Sequence, residues 1–490
     1  MALRYATIAV FLAAALLSSC DNGADEVVDV AVIGSPETMF AKGLRLSDAG
    51  QYLRASTADG LVGFDADGQV VPGLAERWII TDAGRSYLFR ISERNWPDGS
   101  PLTSQTVTDS LRRTLKDLRG TSLGLDLARI LDVRAMAGRV VEIRLITPMP
   151  QFLQLLAQPE LGLFRKGRAN GVMTLRRQDG VAILSPVRPD QRGLPSEPGW
   201  DMRARQLRLT ALSAGKAVER FSSGEMDVVL GGQIENLPLA ATGPLSRRTV
   251  MLDGVQGLLG LEVVAPRGFL ENPSRREAIA MVLDRDALIA PFNIDGWVAT
   301  TRVVPPGLPG DLGTIGERWS GLSMDERRRQ AGRRVAAWRK ASGARDVELS
   351  IDLPAGPGAT MILARLRADL AAIGIQVVRK ADGQPADLVW VDRVARIADA
   401  RWFLNQFHCS LRQGPCSPAA DARVAESLRA PDEAASAALL AEAEAELTAS
   451  NVFIPIGAPV RWSMVRSDVT GFAQNRLGFH PLLPLAIRPK

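Results

Sequence analysis

The sequence predicts an α/β protein with two or more lobes. Its 490 residues are 46% apolar and contain no low-complexity tract, so the chain can bury a large core shared between lobes. Ser86–Ile91 (SYLFRI) is rich in aromatic and branched residues, which predicts a buried strand. Thr103 or Ser104 can cap the helix that follows, whose apolar residues fall on one face: Val107, Leu111, Leu115 and Leu118. These patterns indicate strands that alternate with amphipathic helices.

The same alternation continues along the chain. Runs of branched and aromatic residues predict strands at 27–34, 139–146, 206–212, 227–232, 255–264, 347–354 and 387–392. Apolar residues at helical spacing predict helices at 273–289, 358–373 and 431–450. The net charge of +5 comes from basic residues interspersed with acids rather than from a basic patch, so no nucleic-acid partner is expected.

The first 20 residues have the pattern of a targeting segment. Arg4 supplies the positive charge, and the apolar run 6–17 is short for a permanent membrane span. The sequence LSSC at 17–20 resembles a lipobox, which predicts a signal peptide at 1–19, a lipid on Cys20 and a tether over 20–26. An ordinary secretory signal with an incidental Cys20 remains the alternative. Both interpretations predict export.

Two further cysteines lie close together near the carboxyl-terminal end of the chain. Cys409 and Cys416 in an exported protein predict a disulfide, because oxidising compartments favour one between neighbouring cysteines. A metal site is the alternative. It would need further ligands, and only His408 is close by in the sequence, so no metal and no cofactor are expected.

Several motifs occur in an order that resembles a known family. They are GLVGFDADG (60–68), VPGLAERW (71–78), the strand SYLFRI, WPDGSPLT (96–103) and an amphipathic helix. This order is similar to that of the family 5 extracellular solute-binding proteins, the oligopeptide-, dipeptide- and nickel-binding proteins of bacterial ABC importers. The resemblance extends over most of the chain beyond residue 26. Further matching segments are SGEMD (223–227), RREAIAMVLDRDALI (275–289), VPPG (304–307) and IGI (373–375).

The resemblance implies a two-lobed fold of the type II periplasmic-binding-protein kind, with mixed sheets flanked by helices and an extra subdomain in lobe I. Lobe I is expected to comprise 27–262 and 465–490, and lobe II 263–464, with hinges near 262 and 464. A ligand would bind between the lobes of a monomer that is lipid-anchored in the periplasm or cell envelope. The expected partners are the permease and ATPase subunits of an importer.

The family also indicates where ligand-facing residues lie. Ser47 and Asp48 are in the place of its first ligand-facing loop, although Ser47 can equally cap a helix. Gln233 follows a strand end, where ligands often bind in α/β domains, although a glycine turn without a ligand is also consistent. Trp390 and Trp402 can pack against a ligand, or belong to the core as aromatic residues often do.

The segment 390–416 corresponds to a loop that, in peptide-binding relatives, holds an aspartate for the amino terminus of the ligand. An alignment on Asp399–Leu404 leaves Arg396 at that position, with Asp392 and Asp399 as the alternatives for the aspartate. If Arg396 faces the cleft, its guanidinium favours a carboxylate or phosphate on the ligand. In the other interpretation, Arg396 lies on a solvated loop and does not contact the ligand. The segment 353–361 also lacks the arginine that some dipeptide binders use, which disfavours ordinary dipeptides.

The function expected from the sequence is capture of a short peptide or peptide-like molecule for an ABC importer. An enzyme is disfavoured because the chain has only His408 and His480 and lacks the phosphate-binding motif GxxxxGK[ST]. The alternatives left open are a ligand sensor or envelope chaperone of the same fold, and a binder of a non-peptide anionic solute or a nickel complex. The low histidine content weakens the nickel interpretation.

Overall fold

The computed structural model describes residues 27–240, 246–380 and 384–490. The predicted signal peptide, Cys20 and the tether lie outside these ranges. Its strands are β1 (Val27–Ile33), β2 (Val62–Phe64), β3 (Val70–Pro72), β4 (Ala75–Thr81), β5 (Ser86–Ile91), β6 (Ile130–Met136), β7 (Val140–Leu145), β8 (Met173–Gln178), β9 (Val181–Pro186), β10 (Gln206–Leu212), β11 (Val228–Gly232), β12 (Val250–Asp253), β13 (Gly257–Val263), β14 (Val347–Asp352), β15 (Ile375–Lys380), β16 (Leu388–Val394), β17 (Phe453–Gly457) and β18 (Arg461–Val465).

The helices are distributed over the whole of the described chain. They are α1 (Pro36–Met39), α2 (Asp48–Thr57), α3 (Ser104–Asp117), α4 (Ser122–Asp126), α5 (Phe152–Leu156), α6 (Trp200–Arg203), α7 (Ala214–Ser223), α8 (Leu237–Ala240), α9 (Ser246–Thr249), α10 (Pro273–Val282), α11 (Arg285–Ile289), α12 (Met324–Ser342), α13 (Pro357–Ala371), α14 (Ala400–Asn405), α15 (Pro418–Ser427), α16 (Glu433–Ser450) and α17 (Leu482–Leu485). Within the described ranges, no helix is both long enough and apolar enough to cross a membrane.

The first lobe is built on a mixed seven-stranded sheet in the order β12-β18-β11-β1-β10-β9-β8. Strand β1 lies in the middle and runs parallel to both neighbours, with Val30 opposite Leu209 on one side and Val228 on the other. Its sequence VVDVAVI is rich in β-branched residues. Val30 and Val32 on one face and Ala31 on the other are all fully buried. The sheet is therefore covered on both faces, as expected for an α/β lobe.

An extra subdomain is inserted into the first lobe. Strands β4, β5, β7 and β6 form an antiparallel sheet in that order, and helix α3 packs on it. Thr103 caps α3 by accepting a hydrogen bond from the backbone N–H of Thr106, and Val107 and Leu111 are buried as the sequence predicted. The predicted extra subdomain is thus confirmed.

The second lobe is built on a five-stranded sheet in the order β15-β14-β16-β13-β17. Strand β14 is parallel to β15 and β16, whereas β13 is antiparallel to β16 and β17. The helix predicted over 273–289 is two helices, α10 and α11. The reason is Asp284, which has an extended backbone and caps α11 by accepting a hydrogen bond from the Ala287 N–H.

The chain passes between the two sheets at two places, earlier than the sequence indicated. Strand β13 pairs over its full length with β16 of the second sheet, whereas β18 pairs with β11 and β12 of the first. The changes of sheet therefore lie at 254–256 and 458–460, and not near 262 and 464. We refer to these two stretches as the crossing segments. As our proposal, they divide the chain into lobe I (27–253 and 461–490) and lobe II (257–457).

The two lobes touch on more than one side. Asn405 of lobe II donates a hydrogen bond of 2.8 Å to the buried Asp126 of the subdomain. Trp402 and Phe403 of α14 belong to the same hydrophobic cluster as the subdomain residues Leu123 and Leu127. Elsewhere, the start of α13 lies so close to the segment after β11 that a Cβ on Gly358 would be 2.4 Å from the Ile234 carbonyl oxygen.

Candidate functional site

A cavity of about 360 Å³ opens between the two lobes. Lobe I contributes the first turn of α2, the end of β11, parts of the subdomain and the tail residues 477–479. Lobe II contributes the end of β16 and the segment that leads into α14. We call this cavity the cleft. It lies past the carboxyl ends of β11 and β16, at the edge of each sheet where α/β proteins usually bind ligands.

An ion pair joins the lobes at the wall of the cleft. Arg461 Nη1 at the start of β18 lies 2.5 Å from Asp392 Oδ1 in β16. Both side chains are nearly buried, with 11% and 5% of their surface exposed. The second carboxylate oxygen of Asp392 has no hydrogen-bond partner among the described residues. This oxygen is itself buried, and it has unused hydrogen-bonding capacity.

Two more carboxyl groups surround the same guanidinium. The pKa of Glu235 is raised to about 7, mainly by burial and also by the charge of Asp392, while Arg461 opposes the shift. Asp48 is accessible from the cleft, but protein surrounds its carboxyl closely enough that lost hydration raises its pKa against the opposing effect of Arg461. Glu235 Oε2 has no hydrogen-bond partner in the described part of the chain.

The charge balance at this end of the cleft is therefore negative. Three carboxyl groups, those of Asp48, Glu235 and Asp392, are close enough to interact with one another and share one guanidinium. Mutual repulsion and burial both disfavour their full ionisation. A positively charged group placed among them would relieve the repulsion and make charge-assisted hydrogen bonds in a site of low dielectric. The arrangement suits an ammonium or a guanidinium.

The basic residues of the cleft are each engaged with an acid. Arg396 Nη2 donates to Glu160 Oε1 of the subdomain at 2.9 Å, and its Nη1 is 3.4 Å from Ser122 Oγ. Arg393 lies 3.6 Å from the Glu262 carboxylate. The sequence left both a cleft-facing and a solvated Arg396 open. The structure places Arg396 on the wall of the cleft, where the Glu160 carboxylate already balances its charge across the lobes.

Some of the residues predicted from the sequence lie on this wall. They are Asp48, Gln233, Asp392, Arg396 and Trp402. Trp402 is 1% exposed, and its indole N–H lacks a hydrogen-bond partner among the described residues, so it borders the cleft mainly as a rigid apolar surface.

Three of the predicted residues lie elsewhere. Ser47 caps α2 by accepting a hydrogen bond from the Gly50 N–H, and the buried Asp399 caps α14 by accepting one from the Arg401 N–H. Trp390 is buried in the core of the second lobe. Because capping or packing occupies these side chains, we leave them out of the proposed site.

Two residues of this charge cluster were not predicted from the sequence: Arg461, which lines the cleft, and Glu235, which is buried and is not a lining residue. Glu235 lies two residues after Gln233, so the strand-end argument that selected Gln233 would have reached it if extended by one turn. Arg461 is 69 positions from Asp392, and no local pattern indicates that the two residues meet.

The two neighbouring cysteines are brought together. Their Sγ atoms lie 2.14 Å apart and their Cα atoms 5.2 Å apart, in the segment between α14 and α15. Across the described ranges, no group of three or more His, Cys, Asp or Glu side chains is arranged to hold a metal ion.

Comparisons with known proteins agree with this architecture. Residues 69–174 match the model of the bacterial extracellular solute-binding proteins, family 5 (middle region). The periplasmic oligopeptide-binding protein OppA of Escherichia coli is 24% identical over 471 residues, with 84% of each chain covered. Two solved structures share the fold: Haemophilus influenzae OppA in complex with RPPGFSPFR (TM-score 0.78, 17% identity, 94% of this chain and 99% of the other covered) and the Escherichia coli murein tripeptide binding protein MppA (TM-score 0.76, 17% identity, 95% and 99% covered).

The matched segment lies in the inserted subdomain and the strand that follows it, and the solved structures extend the likeness to nearly the whole chain. With a mixed sheet in each lobe and a cleft between them, the chain has the fold of these solved structures, and its segment 69–174 is similar to the family 5 extracellular solute-binding proteins.

Proposed function

We propose that this protein captures a short peptide, or a similar small molecule with a free ammonium group, and delivers it to the permease of an ABC importer. The observation that carries the proposal is the excess of carboxyl groups around Arg461, with one oxygen each of Asp392 and Glu235 left without a partner among the described residues. A peptide amino terminus supplies the positive charge and the three N–H donors that this arrangement lacks.

The relatives support the peptide part of the proposal. OppA of Escherichia coli is named for oligopeptide binding, the Haemophilus influenzae structure holds a nonapeptide, and MppA is named for a murein tripeptide. A cleft of about 360 Å³ is at the small end of the range for ligand sites, which favours a short ligand in the arrangement described here.

An anionic ligand fits the cleft less well. Arg396, Arg393 and Arg461 each face a carboxylate already, so an anion would have to displace one of these acids and leave it buried without its partner. An ammonium needs no such exchange. On this proposal the protein binds its ligand without transforming it, and Arg396 stabilises contact between the lobes.

The proposal is tested by native mass spectrometry of the protein released gently from its own cells. We expect masses of short peptides, or of one amine-bearing molecule, that disappear on denaturation. An empty protein that also fails to bind a pool of di-, tri- and tetrapeptides by titration calorimetry would contradict the proposed function.

We further propose that residues 1–19 are a signal peptide, that Cys20 carries the lipid anchor and that the mature monomer is held at the membrane by the tether 20–26. Expressed with its own leader, the protein should be recovered in the membrane fraction, and Cys20→Ser should move it to the soluble fraction. Unchanged membrane association of Cys20→Ser would contradict the anchor.

The proximity of the Cys409 and Cys416 sulfurs supports a disulfide. After unfolding without a reductant, neither cysteine should react with iodoacetamide, and both should react after reduction. Alkylation of either cysteine before reduction would contradict the bond.

A further inference from the structure

A second cavity, of about 390 Å³, borders both crossing segments. Its wall includes 252–259, 294–298 and 457–460, together with residues of the segment 300–306. We call it the hinge cavity. It does not share a lining residue with the cleft, and its volume lies within the range of small-molecule sites.

Three of the polar side chains on its wall, those of Trp297, Arg302 and Asp253, already have hydrogen-bond or ion-pair partners. Trp297 Nε1 donates to the Ala458 carbonyl oxygen at 2.9 Å, and Arg302 is bonded to Glu444 and Asp311, each at 2.8 Å. The two oxygens of Asp253 accept from the Asn475 N–H and face His480 Nε2, both at 3.0 Å. These groups therefore have little hydrogen-bonding capacity left for a ligand.

Apart from the exposed side chains of Asp295 and Gln256, the rest of the wall is mainly apolar. The side chains that face the cavity include Leu252, Val255, Val298, Pro306, Phe453 and Val460. An anion would lose its hydration there without gaining a partner, because the Arg302 guanidinium is already paired, whereas an apolar molecule would remove the apolar surface from water. The predominance of apolar side chains favours an uncharged ligand.

The position of the cavity connects it to the movement of the lobes. Both crossing segments lie in its wall, so a rotation of one lobe against the other changes its shape. The indole of Trp297 packs on the backbone of the strand that leads into 458–460, where a Cβ on Gly457 would be 2.1 Å from the ring. A molecule that prefers one shape of the cavity shifts the lobes toward the matching arrangement.

We propose that the hinge cavity is a second binding site, for an uncharged and largely apolar small molecule, and that its occupancy is coupled to the arrangement of the lobes. This goes beyond capture of a ligand in the cleft. It predicts that apolar compounds alter the response of the protein without competing for the cleft.

The test uses N-phenyl-1-naphthylamine, an uncharged aromatic dye whose emission rises in apolar surroundings. Titrated into the whole protein, it should show saturable binding to one site. Leu252→Asp places a carboxylate on the cavity wall and should weaken dye binding about tenfold or more. The matched control is Leu175→Asp. Leu252 and Leu175 are 38% and 43% exposed, on the two opposite edge strands of the same sheet, and only Leu252 lines the cavity.

A second variant keeps the site testable if Leu252→Asp does not fold. Gln256 is exposed and lines the cavity, so Gln256→Trp should retain the fold while narrowing the site and weakening dye binding. Absence of saturable binding, or equal dye affinity in wild type, Leu252→Asp and Gln256→Trp, would overturn the site.

A separate variant tests whether dye binding at the hinge cavity is coupled to the arrangement of the lobes. Gly358→Ala hinders the approach of α13 to lobe I and lies outside both cavities, so it should weaken dye binding through the arrangement of the lobes. Unchanged dye affinity in Gly358→Ala would overturn the coupling. The dye titration needs no ligand in the cleft, so its failure and the failure of the proposed transport function are distinguishable.

Discussion

The cleft and the hinge cavity are similar in volume and opposite in chemistry. In the cleft, one oxygen of Asp392 and one of Glu235 lack partners among the described residues, and three carboxyl groups share Arg461. In the hinge cavity most of the wall is apolar, and the polar side chains of Trp297, Arg302 and Asp253 already have partners. Volume alone therefore says little about a ligand. The unused hydrogen-bonding capacity of the wall indicates which ligand each cavity accepts.

The largest expected effect comes from removing the buried ion pair of the cleft. Asp392→Asn keeps the size of the side chain but removes the charge of the direct, hydrogen-bonded partner of the nearly buried Arg461. We expect the free energy of unfolding to fall by about 3 kcal/mol and binding of ammonium ligands to be lost. Urea unfolding and calorimetric titration with peptides check this result.

The control for this variant is Asp201→Asn, which removes one partner of the exposed Arg188–Asp201 pair. Exposed pairs contribute little, so the control should change neither stability nor binding appreciably. If Asp392→Asn behaved like Asp201→Asn, the cleft would not depend on its buried charges, and the contrast with the hinge cavity would fail.

The next effect concerns the contact that brings the lobes together. Gly358→Ala adds a Cβ that would lie 2.4 Å from the Ile234 carbonyl oxygen and 2.9 Å from the Glu235 carbonyl oxygen. Such overpacking should destabilise the arrangement with touching lobes by about 1–3 kcal/mol. Peptide affinity should fall accordingly, and small-angle X-ray scattering should show a larger radius of gyration.

Gly332→Ala is the matched control, because Gly332 also lies within a long lobe II helix but an added Cβ meets nothing within 4 Å. It should leave binding unchanged and raise the free energy of unfolding by about 0.5–1 kcal/mol. Equal peptide affinity in the two alanine variants would show that this contact does not control closure.

A smaller effect is expected from pH. The pKa of Glu235 is raised to about 7, so its carboxyl becomes increasingly ionised as the pH rises from 5.5 to 7. Over this range a peptide amino group, with a pKa of about 7.7–8, stays mostly protonated. Affinity for ammonium ligands should therefore rise with pH, by up to about tenfold if binding needs the ionised Glu235.

Two controls test whether Glu235 causes the pH dependence of peptide affinity: a variant of Glu235 and the dye site at the hinge cavity. Glu235→Gln should flatten the dependence of peptide affinity, and binding of N-phenyl-1-naphthylamine at the hinge cavity should be independent of pH above the pKa of the dye. A pH dependence that survives in Glu235→Gln would assign it to another group.

The smallest expected effect is that of salt. Raising NaCl from 50 to 500 mM should weaken peptide binding by about twofold to threefold, because ions screen the attraction between the ammonium and the carboxyl groups. Dye binding at the hinge cavity should stay constant or strengthen, since it depends on apolar burial. Equal salt dependence at both cavities would contradict their assignment to different ligand chemistries.

The sequence was a good guide where a local pattern determines the structure. The strand predicted at Ser86–Ile91 is present with the same bounds, and the helix predicted after Thr103 begins at Ser104. Aromatic content and a capping threonine are local signals, so neither prediction depended on the tertiary fold.

The sequence was a poor guide where distant residues meet. The run 255–264 reads as one buried strand and does not show that the change of sheet precedes it, because the pairing of β13 with β16 is a tertiary property. An aspartate such as Asp399 can either bind a ligand or cap a helix, and the sequence does not distinguish the two. In the structure Asp399 caps a helix. The pairing of Arg461 with Asp392 spans 69 positions and leaves no periodic signal.

The central claim is that the carboxyl groups around Arg461 bind the ammonium of the ligand. The most direct measurement offers the protein an equimolar mixture of tripeptides and their N-acetylated counterparts and identifies the bound fraction by native mass spectrometry. Our account predicts that the peptides with free amino termini are retained and the acetylated ones are excluded. Equal retention of both forms would contradict it.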